Sequence, residues 1–175
     1  MTTPRWRVVL LEDDADMRGF FESCVNAHPA LELAASFGML APARAWFSSH
    51  SADVLLADLA LPDGHALELL TQVVRMQAHC DVLVISVFGD EDTVIACVEA
   101  GAVGYIQKDA TPGDVAQIIV DIKQGASPIS PMIARKLLAR LQQQGREATQ
   151  VATACVAPDV STLLTTREGE VLELI

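Results

Sequence analysis

Residues 54–58, Val54-Leu55-Leu56-Ala57-Asp58, decide the fold: four apolar residues in a row and then a carboxylate. A strand that is apolar on both faces is covered above and below, as in a parallel sheet between layers of helices. Similar runs recur on either side, at residues 8–11, 31–35, 82–85 and 104–107. Between them the apolar residues take helical spacing. Met17, Phe20, Phe21, Cys24 and Val25 form one stripe, and Leu67, Leu70, Val73 and Val74 another. Pro42 suits the first turn of a helix, and Asp90 can cap one that stops at Gly101. Thr111 caps a further helix, with Pro112 at its first position, Asp114 in its first turn, Gly125 past its end and Val115, Ile118, Ile119 and Ile122 on one face. Five strand–helix units in alternation predict an α/β domain over residues 1–125: a doubly wound, five-stranded parallel sheet flanked by helices.

After Gly125 the pattern changes. Residues 126–162 are expected to be a linker that includes one extra helix, 131–144, opened by Ser130 and Pro131 and striped by Ile133, Leu137, Leu138 and Leu141. Residues 146–162 are small, polar and aperiodic, the composition of a flexible connection. Thr165 with Glu168 three residues later then forms a capping box, and Leu164, Val171, Leu172 and Ile175 begin an amphipathic helix. Residues 163–175 are read as the first helix of a truncated second domain.

Composition narrows the function. At 175 residues and 51% apolar content the chain builds one core with an appendage. No apolar run reaches the ~20 residues that span a bilayer, and the start, MTTPRWRVVLL, has no signal-peptide pattern. A soluble, cytoplasmic protein without membrane contact is expected. The four cysteines, Cys24, Cys80, Cys97 and Cys155, form no CxxC pair, so reduced and mostly buried thiols are expected rather than a disulfide or zinc site. The net charge is −11, and residues 1–125 hold seven Lys/Arg against 18 Asp/Glu. Such a surface repels nucleic acid and favours cations or basic partners.

In an open parallel sheet, ligands bind beyond the carboxyl ends of the strands. Read at those ends, the first strand supplies Glu12-Asp13-Asp14, the third Asp58 and the fourth Ser86, and the fifth leads into Lys108. Carboxylates brought close together repel unless a cation sits among them, and oxygen ligands with room for waters suit Mg²⁺. Mg²⁺ beside Asp58 would neutralise incoming phosphoryl oxygens and leave the Asp58 carboxylate free to attack phosphorus in line. Lys108 is placed to hold another phosphoryl oxygen as a point charge, and the Ser86 hydroxyl to donate to a third.

Four segments, VVLLEDDADMR, DVLLADLALPDG, VLVISVFGDEDT and AGAVGYIQKDA, resemble in order the blocks of response-regulator receiver domains across residues 5–125. The steps from Asp58 to Ser86 and to Lys108, 28 and 50 residues, suit the LuxR/NarL (FixJ) branch. The resemblance implies a flavodoxin-like receiver fold with Asp58 as phosphoacceptor. It makes Glu12 and Asp13 the acidic metal pair, adds the Ala60 backbone carbonyl to the metal ligands, and makes Ser86 and Tyr105 the switch pair. Asp14 falls outside the pair and is read as a loop charge. LLTTREGEVLELI is similar to the opening block of LuxR-type helix-turn-helix domains, whose recognition helix is absent from this sequence, so no residue here is expected to bind DNA specifically. The partners implied are a sensor histidine kinase, a second copy of the chain on phosphorylation, and DNA only through the missing domain. The domain is expected to be no enzyme beyond its own phosphorylation and dephosphorylation.

Two other functions use the same residues. An Mg²⁺-dependent aspartyl phosphohydrolase of the haloacid-dehalogenase type carries a second Asp two residues after the nucleophile, where this chain has Ala60. A receiver fold can also serve as a binding module independent of phosphorylation, against which the intact acidic, hydroxyl and amine set argues. Two departures from the family pattern stand out. Ala66 occupies a usual glycine position, with little effect expected, and the bulky Val87 and Phe88 are expected to narrow access to the phosphoryl site and slow its loss. His65 is read as a solvated neighbour, His28, His50 and His79 as helix-end residues, and Trp6 and Trp46 as packing or interface groups.

Overall fold

The computed structural model of the chain describes residues 5–86 and 91–126, with isolated positions at 135, 138, 139 and 142. Five strands, β1 (Trp6–Leu11), β2 (Leu31–Phe37), β3 (Val54–Asp58), β4 (Asp81–Ser86) and β5 (Gly104–Gln107), lie side by side in the order β2-β1-β3-β4-β5. Every neighbouring pair is parallel, so each connection must cross the sheet. Those crossings are made by α1 (Ala15–Ala27), α2 (Leu40–Phe47), α3 (Leu67–Met76) and α4 (Glu91–Glu99), and α5 (Pro112–Lys123) follows the last strand. The doubly wound α/β fold read from the sequence is the one observed.

Side chains alternate across a strand, and here both sets are apolar. Val9 and Leu11, Leu55 and Ala57, and Val82 and Val84 face a core closed by Leu40, Ala43 and Phe47 of α2 and by Leu69, Leu70 and Val73 of α3. Val8 and Leu10, Val54 and Leu56, and Leu83 and Ile85 face the other, closed by Phe21, Cys24 and Val25 of α1 and by Val115, Ile119 and Ile122 of α5. Burying each large side chain of this kind contributes about 1.5–3 kcal/mol. The double cover is why the strands read as continuous apolar runs.

Several local expectations hold. Thr111 Oγ1 accepts from the Asp114 amide, Pro112 opens α5, and Gly125 follows its end. Pro42 lies in the first turn of α2. Ala66 has φ −72°, an ordinary helical value, and is fully buried, so a methyl group there brings no strain. Trp6 and Trp46 pack against the two cores, with Trp46 also stacked on His50 at a ring distance of 4.7 Å. Cys24, Cys80 and Cys97 are free and buried. Burial pushes the Cys80 thiol up to about 12 and that of Cys97 up to about 11, which leaves both unreactive.

Other details differ from expectation. β2 runs to Phe37 rather than residue 35: beyond a register shift between Val8 and Val9 that skips Ala34, Leu10 and Leu11 still pair with Ser36 and Phe37. Asp14 is not a loop charge: its carboxylate caps α1, accepting from the amides of Asp16 at 3.0 Å and Met17 at 2.8 Å. Residues 60–65 fold into a small hairpin, Ala60–Leu61 against Gly64–His65, turned at Gly64 with φ +142°. Arg135, Leu138, Ala139 and Gln142 are helical and exposed; of the stripe expected for helix 131–144, only Leu138 is among the described residues. Asp90, Val87, Phe88, Cys155 and residues 146–175 lie outside the described residues.

Candidate functional site

The rim is built by strand alternation carried one step further. Glu12 follows β1 in phase with Val8 and Leu10, Asp58 ends β3 in phase with Val54 and Leu56, and Lys108 follows β5 in phase with Ile106. All three therefore leave the sheet on the α1/α5 side, at the edge where β1 and β3 part to their separate helices. Lys108 Nζ lies 2.8 Å from Asp58 Oδ2, 2.8 Å from Glu12 Oε2 and 2.9 Å from Glu12 Oε1. One ammonium bridges carboxylates that stand 96 and 50 residues away in the chain.

Asp13 completes the acidic group. Its carboxylate and those of Glu12 and Asp58 each place an oxygen within 4.8 Å of the others. The Glu12 side chain is 0% exposed, those of Asp58 and Lys108 each 13%, and Asp13 opens to solvent. Backbone contacts aim the carboxylates. Asp58 Oδ1 accepts from the Leu59 amide at 2.7 Å, and Glu12 Oε1 from the Asp14 amide at 3.3 Å.

Charge is out of balance here. Burial pushes the Glu12 carboxyl above its ordinary value; Lys108 pulls it back only in part, and Asp58 adds repulsion. For Lys108, burial acts downward, but the bonds to Asp58 and Glu12 outweigh it and hold the ammonium above its usual range. Three carboxylates thus share one cation in a partly dry pocket, and the group retains an excess of negative charge. Hard oxygen donors, a buried carboxylate whose ionised form is disfavoured without a further cation, and an open side at Asp13 suit a divalent cation such as Mg²⁺.

The other predicted residues fall as follows. Ala60 is exposed and lies two residues past Asp58, where its hairpin pairs it with His65. No carboxylate stands at that position to serve as the general acid of a phosphohydrolase. Ser86 ends β4 next to Asp58 in the sheet order; its hydroxyl lies outside the described atoms. Tyr105 sits half-buried against the α2/α3 core, across the sheet from Lys108, and its hydroxyl is buried with no hydrogen-bond partner among the described residues. His65 is exposed, with Nδ1 3.5 Å from the Leu67 amide.

Two residues of the surroundings escaped the sequence reading. Asp63, in the turn of the hairpin, accepts from the Leu40 amide at 2.8 Å and the Ala41 amide at 2.9 Å, so it caps α2 from 22 residues away. Those two amides hold its carboxyl below the ordinary range. Arg18, on α1, donates from Nη1 to the carbonyl oxygens of Glu12 and Asp13. No local signal marks either residue, since both act on backbone groups of distant or irregular segments.

Comparison with known proteins agrees with this geometry. The family model of the response regulator receiver domain matches residues 8–120. Among curated proteins the chain is similar to the DNA-binding transcriptional activator DevR/DosR of Mycobacterium tuberculosis, at 26% identity over 78% of this chain and 63% of that one. It is also similar to the transcriptional regulatory protein LiaR of Bacillus subtilis, at 28% identity over 97% of this chain and 75% of that one. A crystal structure of a LuxR-family two-component response regulator from Aurantimonas sp. SI85-9A1 shares the fold, with a TM-score of 0.67 at 22% identity, over 78% of this chain and 97% of that one. The chain spans about 63% of the length of DevR/DosR. On the agreement of sheet order, rim chemistry and family match, the chain belongs to the response regulator receiver domain family, among relatives that regulate transcription.

Proposed function

We propose that the chain is the phosphate-accepting part of a transcriptional regulator of the LuxR/NarL type, and that Asp58 takes a phosphoryl group from a sensor histidine kinase. The observation that carries this reading is the Lys108 ammonium bonded at once to Glu12 and Asp58, which gathers a nucleophile, an acidic pair and a cation on one rim. In the transfer, an Asp58 oxygen forms a bond to phosphorus as the bond from phosphorus to the donor's histidine nitrogen breaks, so the phosphoryl group moves without net hydrolysis. Glu12, Asp13, Asp58 and the Ala60 carbonyl would hold Mg²⁺, which when bound neutralises phosphoryl charge. The Leu59 amide keeps the Asp58 carboxylate oriented, and Lys108, now bonded to Glu12 and Asp58, would turn to meet a phosphoryl oxygen. Ser86 would donate to another oxygen.

In the same reading the Ser86 hydroxyl and the Tyr105 ring form the switch. A buried Tyr105 hydroxyl without a partner among the described residues is a poorly satisfied position, which favours a second packing once the rim is charged. Residues 1–125 form the receiver, 126–162 the linker with helix 131–144, and 163–175 the first helix of the DNA-binding domain. The output is dimerisation and DNA binding by the whole protein in the cytoplasm.

The test is incubation with acetyl phosphate and Mg²⁺, read by intact mass and by oligomeric state, beside Asp58→Asn and a metal-free control. One added phosphoryl group that requires both Asp58 and Mg²⁺ is expected. Labelling that survives Asp58→Asn overturns the assignment.

A further inference from the structure

Arg18 takes no part in the reading above, yet it holds the backbone on which the acidic pair stands. Half-buried on the first turns of α1, it donates from Nη1 to the Glu12 carbonyl at 2.8 Å and the Asp13 carbonyl at 3.1 Å. A single guanidinium nitrogen thus ties together two consecutive peptide groups, those of the residues whose carboxylates face Asp58. The same turn is fixed on its other sides by the Glu12 amide, which donates to the Phe37 carbonyl at 2.9 Å, and by the Asp14 cap of α1. Across from it stands Gly38, where an added Cβ would lie 2.9 Å from Arg18 Nη1. A side chain at residue 38 would therefore displace the end of the guanidinium from its present place.

We propose that Arg18 is a positioning residue for the cation site: it fixes the turn from which the Glu12 and Asp13 carboxylates project, and acts through them rather than on the phosphoryl group. This rests on the reading of Glu12, Asp13 and Asp58 as Mg²⁺ ligands. The proposal has a sign that separates it from plain electrostatics. A cationic side chain beside a dication site repels the ion, so a bystander arginine would weaken Mg²⁺ binding, and its removal would strengthen it. A positioning arginine does the reverse, because a turn free to relax loses its aligned donors.

The experiment is calorimetric titration of the full chain with Mg²⁺ alone, for the parent, Arg18→Gln, Arg18→Lys and Gly38→Ala, with metal-free thermal melting in parallel. Arg18→Gln is expected to weaken Mg²⁺ binding by about 10-fold, at the lower end of what loss of a ligand-orienting contact costs. Arg18→Lys, which keeps the charge and a donor, recovers most of that loss. Gly38→Ala crowds Nη1 while leaving the charge in place, and weakens binding in the same direction by a smaller factor. Equal or tighter Mg²⁺ binding by Arg18→Gln overturns the proposal. If that variant melts too low to titrate, Gly38→Ala decides, and an unchanged affinity there overturns it equally. A parent chain that takes up no Mg²⁺ overturns the metal reading itself, and this inference with it.

Discussion

The two edges of the sheet each set a lysine among acids, and they do so to opposite ends. At the amino edge, Lys123 from the last turn of α5 meets Asp81 Oδ2 at 2.7 Å and the carbonyls of Asp53 and His79 at 3.2 Å each. Asp53 turns its carboxylate away, to the Arg7 amide at 2.7 Å. Each acid there has its own donor, the Lys123 ammonium for Asp81 and a backbone amide for Asp53. At the carboxyl edge Lys108 faces two carboxylates, with Asp13 beside them, and Glu12 is buried further than Asp81, at 0% against 29% exposure. A balanced pair fastens a helix to a sheet; an acidic group that shares one ammonium has the donor chemistry that suits a further cation. Counting acids at a strand end does not separate the two, but asking which acids must share one ammonium does.

The sharpest way to break that contrast is to make the same substitution at both edges. Asp58→Asn is expected to abolish phosphoryl uptake from acetyl phosphate, while Asp81→Asn retains it, as read by intact mass. Loss in both, with melting unchanged, would erase the distinction. Next in size, Lys123→Met is expected to cost about 2 kcal/mol in urea unfolding, since it strips a partly buried carboxylate of its charged donor, and to leave Mg²⁺ affinity in place. Asp14→Ala tests whether the triplet after β1 divides into site and scaffold: it should cost about 1 kcal/mol through the lost cap of α1.

The smallest effect runs the other way. Because the Glu12 carboxyl is pushed up in the folded state, its contribution to stability is full below the ordinary carboxyl range and is lost as pH rises through the folded value. Above that value, without metal, the ionised group is a liability. Glu12→Gln is therefore expected to melt slightly higher than the parent at pH 7 in chelator, and the gain should vanish toward pH 4 and in Mg²⁺. A variant that melts lower at pH 7 would show that Lys108 offsets the burial of Glu12 completely.

What could be read without coordinates follows from range. Val54-Leu55-Leu56-Ala57 announces a doubly covered strand because the cause lies in its own side chains, and Asp58, Glu12 and Lys108 could be found because strand ends in this architecture converge. Thr111 with Asp114 was equally plain, since a cap and its helix are adjacent. Asp14 looked like one charge among three, and only the path of the chain out of β1 turns it onto the amides of α1. Asp63 caps a helix that precedes it by 22 residues, and buried Gln77 holds the Ala52 amide and the His50 carbonyl across similar spans. Such contacts join side chains to backbone groups, which carry no identity in the sequence. Arg18 and Lys123 were invisible for the same reason.

The ion pair between Lys108 and Glu12 also has a place in time. Its partners are 96 residues apart, and Asp58 lies 50 residues before the lysine. At roughly 5–20 residues per second, a ribosome releases Glu12 some 5–20 s before it releases Lys108. Every strand pairing in the sheet is parallel, so no hairpin can assemble that rim early on its own. An unfinished chain carries the acids without their ammonium, and the rim is joined only once Lys108, after the last strand of the sheet, has emerged.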